Sequence, residues 1–181
     1  MGNLDEMLPE VDVLGAVVGP IPRSVCHNGV SKILHPVVHL HVYDSNQGVL
    51  LQKRSIHKKI QPGRWDTAVG GHVSYGETTI DALGREVVEE IGLEVSASDV
   101  VLMSKYLFES AIERELIHSF FIEMPANGRL KISEPDDIDE LRFWAVKDIV
   151  SNLNTGIFTP NFEQEFTTIV LPYISQTYGN E

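Results

Sequence analysis

This sequence predicts an α+β fold, a mixed β-sheet with helices packed on its faces, and three observations point to it. Strand-like segments outnumber helical ones, the two kinds are interleaved in a mixed order, and the helical stretches carry an apolar stripe along one side. With 181 residues, 43% of them hydrophobic, the chain suffices for one well-buried core. The domain is accordingly read over residues 1–181, with 1–30 as an N-terminal extension and 36–174 as the core.

Ahead of the core, "VDVLGAVVG" (Val11 to Gly19) reads as an edge strand. "PVVHLHVY" (Pro36 to Tyr43) alternates and is β-branched, "DSNQG" supplies turn residues, and "VLLQKR" (Val49 to Arg54) resumes, which together predict a hairpin. "SIHKKIQPGRW" is a loop closed by a Pro-Gly turn, and "DTAVGGHV" a short strand running into glycines. A helix follows from Gly76 to Ile91. Strands are expected over Val100 to Phe108, Glu115 to Met124 and Glu140 to Val146, with a turn at "PANG" after the second. An amphipathic closing helix runs from Asn161 to Ile174, with Phe162, Phe166, Ile169 and Tyr173 at core spacing.

Composition excludes several functions. A formal net charge of −12 disfavours a nonspecific nucleic-acid binder, which needs a basic footprint on phosphates. No window approaches the roughly 18 apolar residues of a membrane helix, the first ten residues lack the basic and apolar regions of a signal peptide, and Glu6 stands where a myristoylation signal at Gly2 wants Ser or Thr. A soluble, cytoplasmic protein is expected. The single cysteine, Cys26, excludes an internal disulfide framework and suits a reducing compartment.

The helix is unusual in its charges. At about 100° per residue Ile80, Leu83, Val87 and Ile91 share a stripe, while Glu86, Glu89 and Glu90 crowd another, with Cβ atoms roughly 5–6 Å apart. The C-terminal half of a helix is also the wrong end for anions, because the helix dipole is negative there. A solvated acidic face is the ordinary explanation. The alternative is a hard divalent cation, Mg²⁺ or Mn²⁺, held by all-oxygen ligands and open to water and phosphate.

What favours the cation is the surrounding pattern. Gly71, Glu77, Arg85, Glu86, Val87, Glu89, Glu90, Gly92 and Leu93 match the Nudix box position for position, so the chain resembles a Nudix hydrolase. The resemblance implies an α/β/α sandwich and Mg²⁺- or Mn²⁺-dependent hydrolysis of a small molecule in which a nucleoside diphosphate is linked to another group. Glu89 and Glu90 become the principal metal ligands, and Glu86 a third ligand or the general base. Glu89 also belongs to the catalytic pair with Glu86. A later carboxylate sometimes serves as base in the family, and "SEPDDIDE" offers Glu134, Asp136, Asp137, Asp139 and Glu140; a solvated acidic loop is its plain reading. Gly70 and Gly71 let backbone approach the substrate, Glu77 sits in the first helical turn, Arg85 braces neighbouring carboxylates, and Gly92 ends the helix. Lys53 and Arg54 either reach substrate phosphates or form an exposed basic pair. Trp65 either stacks on a base or packs in the core. Loops, or a partner subunit in a homodimer, would select the group on the diphosphate.

A narrower resemblance, from Cys26 to Val73, is to type I isopentenyl-diphosphate isomerases, which share the Nudix fold, and to related hydrolases. It implies a second metal site at His27, His35, His72, Glu113 and Glu115, a nitrogen and oxygen set suited to Zn²⁺ or Mn²⁺. Polar lining is the alternative. The isomerases' catalytic cysteine falls on Gly70, which argues against isomerisation. His39 and His41 read as hydrogen-bonded imidazoles on a polar strand face. A noncatalytic nucleotide-binding regulator on the same fold would show a degraded box or an added DNA-binding domain; this sequence has neither.

Overall fold

The computed structural model describes residues 6–125 and 127–179. Gly2, and Ala126 of the expected "PANG" turn, lie outside the described residues.

The core sheet is mixed, as the sequence predicts. Strands β3 (Leu34–Asp44) and β4 (Gly48–Arg54) are joined by an Asp44 turn, in which the carboxylate accepts from the amides of Asn46 and Gln47 at 2.8 and 3.0 Å. They pair only at Tyr43–Val49 and Asp44–Gly48, so the hairpin exists beside its turn alone. Beyond it the strands take different neighbours. β3 runs antiparallel to β6 (Val69–His72) and parallel to β8 (Arg114–Glu123), whose outer partner is β7 (Val101–Glu109). β4 pairs with β5 (Trp65–Thr67) and β9 (Ile138–Trp144). The expected strand over "DTAVGGHV" is therefore two strands, one on each side of the divergence.

The N-terminal edge strand needs correction. The segment is a separate two-stranded sheet of β1 (Met7–Val11) and β2 (Val17–Pro22), reversed where Asp12 accepts from the amides of Leu14 and Ala16. A short helix α1 (Arg23–Cys26) follows, and Leu8, Ile21 and Cys26 pack together. Burial pushes the Cys26 thiol up to about 11, which makes it inert.

Helix α2 (Thr79–Ile91) starts three residues later than its periodicity suggested, because Thr78 is the N-cap and its hydroxyl accepts from the Asp81 amide at 3.2 Å. Glu77 thus precedes the helix. Gly92 ends it in the left-handed conformation, φ 66°. Leu83, Val87 and Ile91 pack under the sheet against Val38, Leu40 and Val42, each such burial contributing about 1.5–3 kcal/mol.

The other face is covered by a C-terminal helical run: α3 (Val146–Ser151), α4 (Pro160–Glu165), a π turn (Phe166–Val170) and α5 (Leu171–Tyr178). The wide turn corrects the expected core positions. Pro172 lacks an amide donor and would crowd the carbonyl four residues back in a regular helix; the π turn accommodates it and advances the phase. The buried residues are therefore Phe162, Phe166, Val170 and Ile174, with Ile169 and Tyr173 only partly covered. Among the described residues no helix is long and apolar enough to cross a membrane.

Candidate active site

Where β3 and β4 separate, a cleft of about 1000 Å³ opens, reached by His39 from β3, Gln52 from β4, Thr67 from β5 and Gly70 from β6. Helix α2 turns Glu86, Glu89 and Glu90 into it. Glu90 is anchored deepest, one oxygen accepting from the Gln52 side chain at 3.0 Å and the Gly70 amide at 3.2 Å. Burial, followed by the neighbouring Glu86 charge, raises its carboxyl to about 8. Glu86 is raised too, chiefly by burial, with Arg85 opposing.

Arg85 braces the cluster. Its Nε and Nη2 donate to the two oxygens of Glu77 at 3.0 and 2.9 Å, its Nη1 to Glu86 at 2.7 Å and Glu89 at 3.1 Å, and Nη2 also reaches the His72 carbonyl at 3.0 Å. One planar fork thereby fixes three carboxylates and ties the helix to the end of β6. Glu77 accepts a further bond from the Ser74 amide at 3.0 Å; burial raises its carboxyl, but Arg85 and this amide together outweigh burial and leave it lowered. Gly71 lies beneath Glu86, and any Cβ there would strike that side chain.

The acidic loop divides. Glu134 and Asp137 line the cleft. Asp139 instead accepts from the Ile56 amide, and Glu140 pairs with Arg142 at 2.6 Å. Glu134 is raised by burial and by the charges of Asp137 and Glu89. The basic pair divides as well: Arg54 lines the cleft, 3.4 Å from Asp66, whereas Lys53 does not. Strand alternation gives Gln52 and Arg54 to the cleft and sends Lys53 to the other face. Trp65 takes its core role, buried edge-to-face against Trp144 at 5.3 Å.

Beyond the end of β6, residues distant in sequence converge. His27 follows α1, His35 comes from β3, His72 ends β6 and Glu115 lies in β8; one ligand atom from each lies within 4.8 Å of all the others. His27 Nε2 is 3.1 Å from His72 Nε2, and His35 Nε2 is 3.9 Å from Glu115. Glu113 approaches His27 at 3.3 Å but precedes β8, so the two glutamates do not share a strand. Burial lowers His35 to about 4 and His72 well below its ordinary value, leaving neutral imidazoles with ligand lone pairs. His35 Nε2 is buried without a hydrogen-bond partner. An unpartnered nitrogen within such a set fits a metal with nitrogen and oxygen preferences.

His39 and His41 are hydrogen-bonded imidazoles as the strand pattern suggests, His39 with Glu165 and His41 with the Thr67 hydroxyl at 3.3 Å, but the carboxylate that faces both escapes sequence reading. Glu165 of α4 is fully buried, with one oxygen 2.7 Å from His39 Nδ1 and the other 3.0 Å from His41 Nε2. In sequence it is one more polar position on an amphipathic helix; only the packing of α4 on the sheet reveals it.

Residues 33–165 match the NUDIX domain family. The chain is 28% identical over 129 residues to a Nudix hydrolase of Listeria innocua, spanning 71% of this chain and 74% of that one. It is 30% identical over 118 residues to an isopentenyl-diphosphate Delta-isomerase of Serratia proteamaculans, spanning 65% of this chain and 63% of the relative. In structure it is similar to the DR0079 protein of Deinococcus radiodurans, with a TM-score of 0.70 at 22% identity over 88% of this chain and 96% of that one.

Proposed function

We propose a function from one premise: the chain belongs to the Nudix family. It is a metal-dependent hydrolase that cleaves the diphosphate of a nucleoside diphosphate linked to another group. The observation that carries this reading is the convergence of Glu86, Glu89 and Glu90 on the cleft, where Glu86 and Glu90 pack against backbone rather than side chains at Gly71 and Gly70.

The helix carboxylates suit a hard cation because they are oxygen donors whose crowding needs a compensating charge. Glu86, Glu89 and Glu90 would hold Mg²⁺ or Mn²⁺. When bound, such an ion would supply positive charge for phosphoryl oxygens and make water more acidic. Arg85 keeps the carboxylates in fixed rotamers, so little reorganisation accompanies substrate binding. Glu86 or Glu134, both raised above the ordinary carboxylate value chiefly by burial, would take the proton of the attacking water. His27, His35, His72 and Glu115, with Glu113 beside His27, would hold a second metal, Zn²⁺ or Mn²⁺. The protein acts in the cytoplasm on a small-molecule substrate.

Isomerisation finds no thiol in the cleft: Gly70 has no side chain, and Cys26 is buried with Leu8 and Ile21. The test is a screen of nucleoside triphosphates, nucleotide sugars, dinucleotides, coenzyme A and isoprenoid diphosphates, read by phosphate release after phosphatase coupling. Release from a nucleoside diphosphate derivative is expected. No release from any of them, or formation of dimethylallyl diphosphate from isopentenyl diphosphate at enzyme-like rates, overturns the reading.

A further inference from the structure

His39 and Glu165 are absorbed by neither metal set. Glu165 is fully buried, and a buried carboxylate costs several kcal/mol unless an opposite charge balances it. Two imidazoles face it: His39, hydrogen-bonded at 2.7 Å through Nδ1, and His41, with Nε2 3.0 Å from the other oxygen. Two further features hold Glu165 in place. The Thr159 hydroxyl accepts from the Phe162 amide at the start of α4 and donates to Asp66 at 2.9 Å, tying that helix to β5. The π turn begins immediately after Glu165, and such turns recur at functional sites.

The other edge of the imidazole meets the cleft. His39 lies directly across from Gly70 in the β3–β6 ladder, and a Cβ at Gly70 would stand 3.4 Å from His39 Cδ2 and 3.6 Å from Nε2. Among the described residues Nε2 makes no hydrogen bond. The Gly70 amide holds Glu90, and His72 is two residues further on, so His39 sits between the helix carboxylates and the histidine set. Among the described residues, four other cations of the cleft are engaged from within it: Arg85 by three glutamates, Arg54 by Asp66, Lys58 by Asp137 at 2.7 Å and Arg23 by Glu6 at 2.7 Å; Lys59 also lines it, on the loop after β4. His39 instead has its counter-charge behind it, on Glu165, outside the cleft lining. Burial opposes the charged ring, but Glu165, with Asp66 and Glu115 further away, outweighs it and raises His39 to about 9.

We propose that His39 is a substrate-contacting residue whose Nε2–H donates to a phosphoryl oxygen of a diphosphate lying over Gly70, and that Glu165 is its positioning residue. The inference rests on the reading of the cleft as a diphosphate site and adds to it a cationic donor that belongs to the sheet and not to the helix motif. The bond is charge-assisted, which makes its loss measurable.

The probe is methylenediphosphonate, which cannot be hydrolysed at its bridge, added with Mg²⁺ to the full chain. In wild type, the ¹⁵N signal of His39 Nε2, assigned through its backbone, should shift on saturation. His39→Asn retains a donor near the Nδ1 position for Glu165 and loses the one facing the cleft; its affinity by calorimetry should fall about tenfold or more while Mn²⁺ affinity is unchanged. His39→Gln, with a donor near Nε2, should recover part of it. Glu165→Gln should weaken binding too, and the double variant Glu165→Gln/His39→Asn no further than His39→Asn alone, as expected if Glu165 acts through the ring. An unmoved Nε2 signal, or wild-type affinity in His39→Asn, overturns the proposal, and additive losses in the double variant overturn the role of Glu165. The wild-type spectrum decides even if the variants fail to fold. If the Nε2 signal shifts but no diphosphate is hydrolysed, the hydrolase reading falls and the contact stands; hydrolysis with an unmoved signal gives the reverse.

Discussion

The carboxyl group of Glu86 lies over the α-carbon of Gly71, so close that an added methyl group would collide with Cγ, Cδ and Oε1 of the glutamate. The glycine at this place of the box is therefore a matter of space, since its backbone is in no left-handed conformation. Gly71→Ala should displace Glu86 and lower turnover on the order of 100-fold, as misplacing a catalytic group does. Manganese titration followed by electron paramagnetic resonance should show weakened binding; unchanged affinity and rate would mean that Glu86 has no part in the site.

Removing charge from the helix should abolish activity without unfolding the chain. In Glu90→Gln the side-chain oxygen can still accept from Gln52 and Gly70, and in Glu89→Gln an exposed side chain changes little in packing. Each should cut turnover by orders of magnitude while the melting temperature stays within a few degrees. Wild-type rates in excess EDTA would sink the metal-dependent mechanism.

Arg85→Lys keeps the charge but loses the fork that joins Glu77, Glu86, Glu89 and the His72 carbonyl. A single ammonium cannot meet these partners together, so a loss of about 1–3 kcal/mol in stability is expected alongside weaker metal binding. Urea denaturation with and without Mg²⁺ measures both; full stability in the lysine variant would show that one or two of the bonds suffice.

In metal-free protein, stability should fall as pH rises from about 6.5 toward 9. Glu90 and Glu115 are each raised to about 8, Glu115 mainly by burial and then by Glu113, and His39 is raised to about 9. A folded value above the unfolded one means that the folded state binds more protons in that window, and stability is lost as the pH climbs through it. His35, lowered to about 4, has the opposite sign, but its window closes near pH 6.5. Divalent metal competes with the protons on Glu90 and Glu115, so the gain in melting temperature on adding Mn²⁺ should grow from pH 6.5 to 8. A gain that is flat or falling with pH contradicts the assignment.

The histidine set should retain a transition metal through mild dialysis, and His72→Ala should release it. Elemental analysis of both proteins decides. If wild type carries no metal and His72→Ala binds Mn²⁺ equally well, these residues are polar lining.

Local pattern determined much of this protein. Glu86, Glu89 and Glu90 share a helix side because 3.6 residues make a turn, Gly92 ends that helix because its backbone can turn left, and the alternation of β3 places His39 and His41 together. Such features depend on neighbours a few residues apart. Tertiary structure decided what joins distant segments: that β3 and β4 part after two pairs to open the cleft, that the N-terminal hairpin and α1 carry His27 to His72, and that Lys53 turns away while Arg54 does not. It also decided the partner of His39, since nothing in "NFEQEF" distinguishes Glu165 from a solvated residue until α4 packs on the sheet and the π turn sets its phase. A carboxylate's role depends on whether water or an imidazole surrounds it, and that surrounding exists only after the chain has folded.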